Sequence, residues 1–154
     1  MNWIRIPKDY EEFQGFVYII TNTLTGRRYI GKKNMFYIQK RKPLKGKKRR
    51  RHRKAEYPWR EYYGSCATLT EDVERCGTEN FKREFLCFCH SKWQLAFIEG
   101  KFQTYCEVLS SDKWYNGLIS FKCNGYYMKK APRIMPAGKR LLAEYKINDK
   151  RLVK

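Results

Sequence analysis

Two short β-branched and aromatic runs, Gly15-Phe16-Val17-Tyr18-Ile19-Ile20 and Arg27-Arg28-Tyr29-Ile30-Gly31, stand either side of the loop Asn22-Thr23-Leu24-Thr25-Gly26. No other feature of the chain constrains its fold so tightly. Both runs favour extended backbone and the glycine lets the chain reverse, so the pair is expected to open the domain as a β-hairpin. In such a hairpin Tyr18 and Tyr29 can sit side by side. Strand tyrosines are ordinarily packing residues, so a role for the phenols depends on what the rest of the chain supplies.

The downstream pattern alternates helix and strand signals. Thr68 and Glu71 have capping-box spacing, which predicts a short helix to about Cys76 with Gly77 as its stop. Asn80 to Cys89 is expected to follow as a strand, its apolar half central in a sheet. Ser91 and Gln94 form a second capping-box pair, and Leu95, Ile98, Phe102, Tyr105 and Leu109 then recur at helical steps, giving one apolar stripe. Trp114-Tyr115-Asn116 and Ile119-Ser120-Phe121 can supply a last extended segment. Pro132 and Pro136 interrupt the chain before Ala137 to Ile147 resumes as a basic helix. The expected class is α/β in the α+β sense, and the chain carries no internal repeat.

With 154 residues the chain is the size of one domain with an appendage, and it can bury a core without staples. Its 34 Lys+Arg against 15 Asp+Glu leave a net charge of +19, a field that favours a polyanion as partner. Nucleic acid is the leading candidate. An anionic membrane is the rival, but purely apolar runs such as Phe16 to Ile20 stop at five residues, far short of a span. The segment Met1 to Lys8 has no apolar core, so no secretory leader is expected.

Of six cysteines, only Cys87-Phe88-Cys89-His90 forms a tight cluster. On a strand the two thiols share one face and His90 takes the other, and no second pair completes four ligands, so buried free thiols are favoured over zinc. His52 and His90 read as a phosphate contact and a packed surface residue.

Lys32 to Lys54 differs in character: 13 Lys or Arg, no carboxylate, and a run from Lys47 to Lys54. Self-repulsion predicts an extended or mobile excursion, not a core element. With Phe36, Tyr37 and Trp59 flanking it, the segment reads as a sequence-independent phosphate clamp, its contacts drawn from Lys45, Lys47, Lys48, Arg49, Arg50, Arg51, Arg53 and Lys54. A solvated loop or a nuclear localisation signal is the blander reading.

Cutting a phosphodiester needs an activated water, charge compensation on the phosphoryl oxygens and stabilisation of the leaving oxygen, commonly by a metal on a carboxylate. Tyr18 and Tyr29 are poor bases unless nearby cations assist them, and Lys32, Lys33 and Arg41 follow the hairpin directly. Glu99 flanks the apolar stripe with Gln103 one turn on, which suits a single metal ligand, although taken without further motifs a solvated helix residue is the commoner reading.

Several motifs then fall in one order. Val17-Tyr18 and Tyr29-Ile30-Gly31 resemble the paired triplets of the GIY-YIG nucleases. Tyr62-Tyr63-Gly64-Ser65 and Cys76-Gly77-Thr78-Glu79-Asn80-Phe81-Lys82-Arg83-Glu84 are similar to stretches found in phage-borne members. Glu99 with Phe102-Gln103 resembles the segment bearing the family's metal-binding glutamate, and Tyr115-Asn116 its closing Tyr-Asn. The resemblance runs from Phe16 to Asn116. It implies a small nuclease fold around a three-stranded antiparallel sheet, occupying residues 13–120 with a basic insertion at 32–54 and a basic, partly helical extension at 121–154. It further implies a divalent-metal-dependent DNA endonuclease or nickase leaving 5′-phosphate and 3′-hydroxyl ends. Glu99 would hold Mg²⁺ or Mn²⁺, Tyr18 or Tyr29 would accept the water's proton while the other orients it, and Asn116 would buttress the site. The family places a phosphate-compensating arginine on the helix after the second triplet. Here the basic segment takes that place, leaving Arg41, Lys33 and Arg53 as candidates. The expected setting is DNA without a membrane, as monomer or dimer, in a bacterial cytoplasm if phage-encoded. A non-catalytic basic binding protein on the same fold, or an RNA-associated module, is the alternative.

Overall fold

The computed structural model describes residues 3, 6–120 and 130–153. The hairpin forms as expected: β1 (Gly15–Asn22) pairs antiparallel with β2 (Arg28–Asn34). Its turn is tied by the Asn22 carboxamide, which accepts from the Leu24 and Thr25 amides, and by Gly26 at φ 75°. On its other side β1 pairs antiparallel with β5 (Phe81–Cys89), with a register shift between Val17 and Tyr18. Having neighbours on both edges and both faces covered, β1 is almost wholly buried, hence its continuous apolar run.

The sheet has four strands, not three, in the order β2-β1-β5-β6, with β6 at Arg133–Ile134. The extra strand, β6, comes from the C-terminal segment. It is followed by α3 (Pro136–Glu144), which buries Leu141 and Leu142 against the sheet, and by α4 (Lys150–Val153). Gly138 lets α3 approach: a Cβ there would lie 2.3 Å from the Leu86 carbonyl oxygen. The helix stops at Glu144, short of the expected Ile147.

Two cores lie on the two sheet faces. One joins Val17, Ile19 and Ile30 to Leu95, Ile98 and Phe102 of α2 (Lys92–Tyr105) and to α3. The other is aromatic, with Trp3, Phe16, Tyr18, Trp59, Phe85 and Phe88 among its members. There Trp3 stacks on Phe85 at 4.7 Å between centroids and Phe16 meets Phe85 edge-on at 4.8 Å. The short α1 (Ala67–Cys76) closes this side with Leu69 and Val73.

Local corrections follow from capping and charge. Thr68 does not cap α1, because the helix begins two residues earlier, at Ala67, with Cys66 at the N-cap. Gly77, at φ 83°, does end it. Ser91 caps α2 by accepting from the Gln94 amide, but Gln94 reaches back to the His90 amide, one residue beyond the expected partner. The helix ends at Tyr105, before Leu109, and the chain turns at Glu107 with φ 48°. Trp114–Asn116 makes only an isolated bridge to Arg28, with Phe121 outside the described residues. Cys87 and Cys89 are buried with sulfurs 3.7 Å apart, and the His90 ring packs on Phe13 at 4.7 Å.

The largest departure is the basic segment. Instead of an extended or mobile excursion it forms a separate two-stranded ribbon, β3 (Phe36–Arg41) and β4 (Arg51–Glu56). Aromatic residues at its base explain this: Phe36 is buried beside Tyr10, Tyr37 meets Tyr57 at 4.5 Å, and the Lys54 ammonium lies 3.9 Å from the Phe36 ring.

Candidate active site

The two phenols share a face because of the hairpin register. Tyr18 opposes Gly31 and Tyr29 opposes Ile20, which makes the tyrosines diagonal neighbours with ring centroids 6.1 Å apart. Gly31 leaves the space they use: a Cβ there would stand 2.5 Å from the Tyr18 hydroxyl oxygen and 2.7 Å from Cε1 of Tyr29. Gly64, at φ 101°, carries the following loop close over both rings. Tyr62 from that loop meets Tyr18 edge-on at 6.1 Å.

Glu99 approaches β2 from the opposite face, on α2, and is 7% exposed. It pairs with Lys32, whose side chain leaves β2 on that face. Beyond β2 the sheet has no further strand among the described residues, and Trp114–Asn116 lines the open edge. The Tyr115 amide donates to the Arg28 carbonyl at 2.8 Å. Further along the edge, the Asn116 side chain replaces backbone: its Oδ1 accepts from the Ile30 amide at 2.9 Å and its Nδ2 donates to the Ile30 carbonyl at 2.8 Å. An amide side chain carries its donor and acceptor on separate coplanar atoms, as a peptide group does. Gln103 adds a bond to the same carbonyl at 3.0 Å.

Around this edge lies an open cavity of about 380 Å³ lined by Tyr29, Lys32, Ser65, Glu99, Gln103 and Asn116, among others. Burial pushes the Glu99 carboxyl above its usual range, partly offset by Lys32. Burial also holds Tyr18 well above the usual phenol value, reinforced by Tyr29 and Tyr62. Tyr29 is raised by burial as well, but its hydrogen bond with Ser65 works the other way. Burial lowers the Lys33 ammonium, which sits 3.8 Å from the Tyr62 ring centre and 5.5 Å from that of Tyr57.

Of the residues singled out in the sequence, Tyr18, Tyr29, Lys33, Glu99 and Asn116 thus gather around the edge of β2. Arg41 does not: it is exposed at the end of β3, opposite Arg51, and does not line the cavity. Arg53 and Lys54 lie on β4, while Lys45, Lys47, Lys48, Arg49 and Arg50 fall between the ribbon strands. Sequence reasoning placed Lys32 only among the cations that follow the hairpin, and gave Ser65 and Tyr62 no part in the site. The Tyr62-Tyr63-Gly64-Ser65 stretch was the signal that could have placed the last two.

The donors near Glu99 are mainly hard oxygens, and among the described residues no group of three or more His, Cys, Asp or Glu could hold a metal. One carboxylate beside open space suits an ion such as Mg²⁺ that keeps most of its waters. The cation already drawn to Glu99, the Lys32 ammonium, marks the charge this position attracts.

A sheet edge that presents paired phenols from a hairpin and a carboxylate from the facing helix is a GIY-YIG arrangement. The family model described as "Putative endonuclease segE, GIY-YIG domain" matches residues 3–119, and the chain belongs to that family. No curated protein and no solved structure gives a match. No helix among the described residues is long and apolar enough to cross a membrane.

Proposed function

We propose that this chain is a divalent-metal-dependent DNA endonuclease or nickase that leaves 5′-phosphate and 3′-hydroxyl ends, with its nuclease unit at residues 13–120 and a basic extension at 121–154. The observation that carries the reading is that Tyr29, Glu99 and the Asn116-braced edge of β2 line one open cavity, with the buried Tyr18 ring packed beside Tyr29. The net charge of +19 and the branch of the matched family support DNA as substrate and a phage or mobile-element origin, with action in a bacterial cytoplasm as monomer or dimer.

Glu99, with water completing the shell, would hold Mg²⁺ or Mn²⁺. Bound there, the ion supplies charge compensation to the phosphoryl group and the leaving oxygen. Tyr29 lines the cavity and is the proton acceptor for the attacking water, because its hydroxyl is the less buried of the two phenols and is hydrogen-bonded with Ser65. Tyr18, fully buried, fixes the Tyr29 ring. The step uses the phenolate form of Tyr29, which burial opposes and the Ser65 hydrogen bond favours: as water attacks phosphorus, the bond to the 3′ oxygen breaks, the water's proton passes to the phenolate oxygen and the leaving oxygen takes a proton from solvent. Lys33, not Arg41, is the cation joined to the phenols, through the Tyr62 ring that meets Tyr18, and Lys32 is the one paired with Glu99. Asn116 holds the β2 backbone that presents both.

Supercoiled plasmid incubated with Mg²⁺, with EDTA, and with a Glu99→Ala variant verified as folded and DNA-binding tests this reading. Cutting should require metal and vanish in the variant. Binding that is steeply salt-dependent and metal-indifferent, with neither plasmid nor phage genomic DNA cut, would instead favour a non-catalytic binding protein.

A further inference from the structure

The ribbon β3–β4 is an unfavourable structure standing alone. From Phe36 to Glu56 it carries 11 Lys or Arg and one carboxylate. Its ladder sets like charges directly opposite one another at Arg41↔Arg51, and Lys40 opposite His52. Such pairs weaken a sheet, and an isolated two-stranded hairpin is marginal to begin with. Among the described residues no carboxylate pairs with any cation from Lys40 to Arg53. The element is shaped for a partner that supplies the anions.

Its two faces are not equivalent. On one, Phe36 is buried at the base and Lys54 donates to the Glu11 carbonyl at 2.8 Å, which ties that face to the body. On the other, the paired residues Gln39↔Arg53 and Arg41↔Arg51 are exposed, and the row is continued toward the body by Tyr37. Tyr37 meets Tyr57, Tyr57 flanks Lys33, and Lys33 lies on Tyr62 beside Tyr18. The Gln39 and arginine face is therefore the one joined by contacts to the catalytic phenols.

We propose that this ribbon lies in the major groove of duplex DNA and reads base edges with Gln39, Arg41, Arg51 and Arg53, making it the specificity element of the enzyme. The inference rests on the chain's acting on DNA. Six residues per strand span about 20 Å, and the major groove, about 12 Å wide, admits a two-stranded ribbon. Arg and Gln are the side chains that grip guanine and adenine bidentately there. The lysines of the tip, by contrast, act on phosphates without regard to sequence.

The test is binding selection of full-length protein on a pool of randomised duplexes in EDTA, followed by methylation interference on the selected DNA. A base preference should emerge, blocked by methylation at guanine N7 in the major groove. Gln39→Ala and Arg53→Ala should each relax it at single positions by about ten-fold or more, with little change in salt slope. Lys47→Ala with Lys48→Ala should lower the salt slope and leave the preference in place. Salt-dependent binding with no base preference, or interference only from adenine N3 in the minor groove, would overturn the ribbon's role and leave the nuclease reading standing. Failure to bind duplex DNA at all would overturn both.

Discussion

The edge of β2 and the β3–β4 ribbon are built on opposite principles. At β2 every functional group is fixed by another: Asn116 and Gln103 bond Ile30, Glu99 pairs with Lys32, and Tyr18 is enclosed by rings. On the ribbon the cations from Lys40 to Arg53 face water and one another without ion pairs among the described residues. Chemistry needs groups held to fractions of an ångström and can tolerate strained, partly desolvated charge; recognition of a long polyanion needs charge that is not already satisfied. The two requirements conflict, and on the proposed reading they fall on separate sheets.

The sharpest way to break the contrast is Glu99→Gln. Removing the charge of the proposed metal ligand should lower cleavage about 1,000-fold, the equivalent of roughly 4 kcal/mol, while DNA affinity in EDTA stays within about two-fold. Next is Gly31→Ala, whose methyl would collide with both phenols. Overpacking there should cost about 1–3 kcal/mol in urea unfolding and reduce cleavage as well. Asn116→Ala orphans the Ile30 amide and should cost about 1–2 kcal/mol, whereas Gln103 still serves the carbonyl.

A pH experiment separates the two regions further. Tyr18 is protonated in the fold well beyond the usual phenol range because burial opposes its anion. A group with a raised folded pKa contributes stability in full below the unfolded value, about 10 for a phenol, and the fold weakens as pH climbs from there toward the folded value, since the unfolded chain can ionise and the native one cannot. Alkaline unfolding monitored by circular dichroism should therefore set in above about pH 10 and move to higher pH in Tyr18→Phe. The smallest effect on stability belongs to the ribbon. Lys47→Ala with Lys48→Ala should change unfolding free energy by less than about 0.5 kcal/mol, yet flatten the dependence of binding on salt by about one unit for each phosphate left unneutralised.

How far the sequence disclosed each region follows the same division. Apolar periodicity placed β1, β2, β5 and α2 because those elements are held by burial, which leaves a pattern, and Gly77 marked the end of α1. Tyr18, Tyr29, Glu99 and Asn116 were legible from ordered motifs, but Asn116's pairing with Ile30 was not, since a side chain mimicking a strand has no periodic trace. The ribbon was hidden by its charge: alternation between Tyr37, Gln39 and Arg41 is masked when both faces are basic, and only the aromatic base, formed with Tyr57 and Tyr10, reveals why it folds back. The fourth strand is two residues long, too short to carry any signal.

Most direct is a paired measurement on the same preparations: single-turnover cleavage in Mg²⁺, and affinity across a salt series in EDTA. The variants are wild type, Glu99→Gln, and a ribbon variant with Lys47, Lys48 and Arg49 replaced by alanine. The account predicts that Glu99→Gln loses cleavage and keeps the salt slope. It predicts that the ribbon variant loses affinity and slope, its rate recovering as protein concentration is raised. A ribbon variant whose cleavage stays defective at saturation, or a Glu99→Gln protein that loses affinity without metal, would contradict the separation of chemistry from recognition.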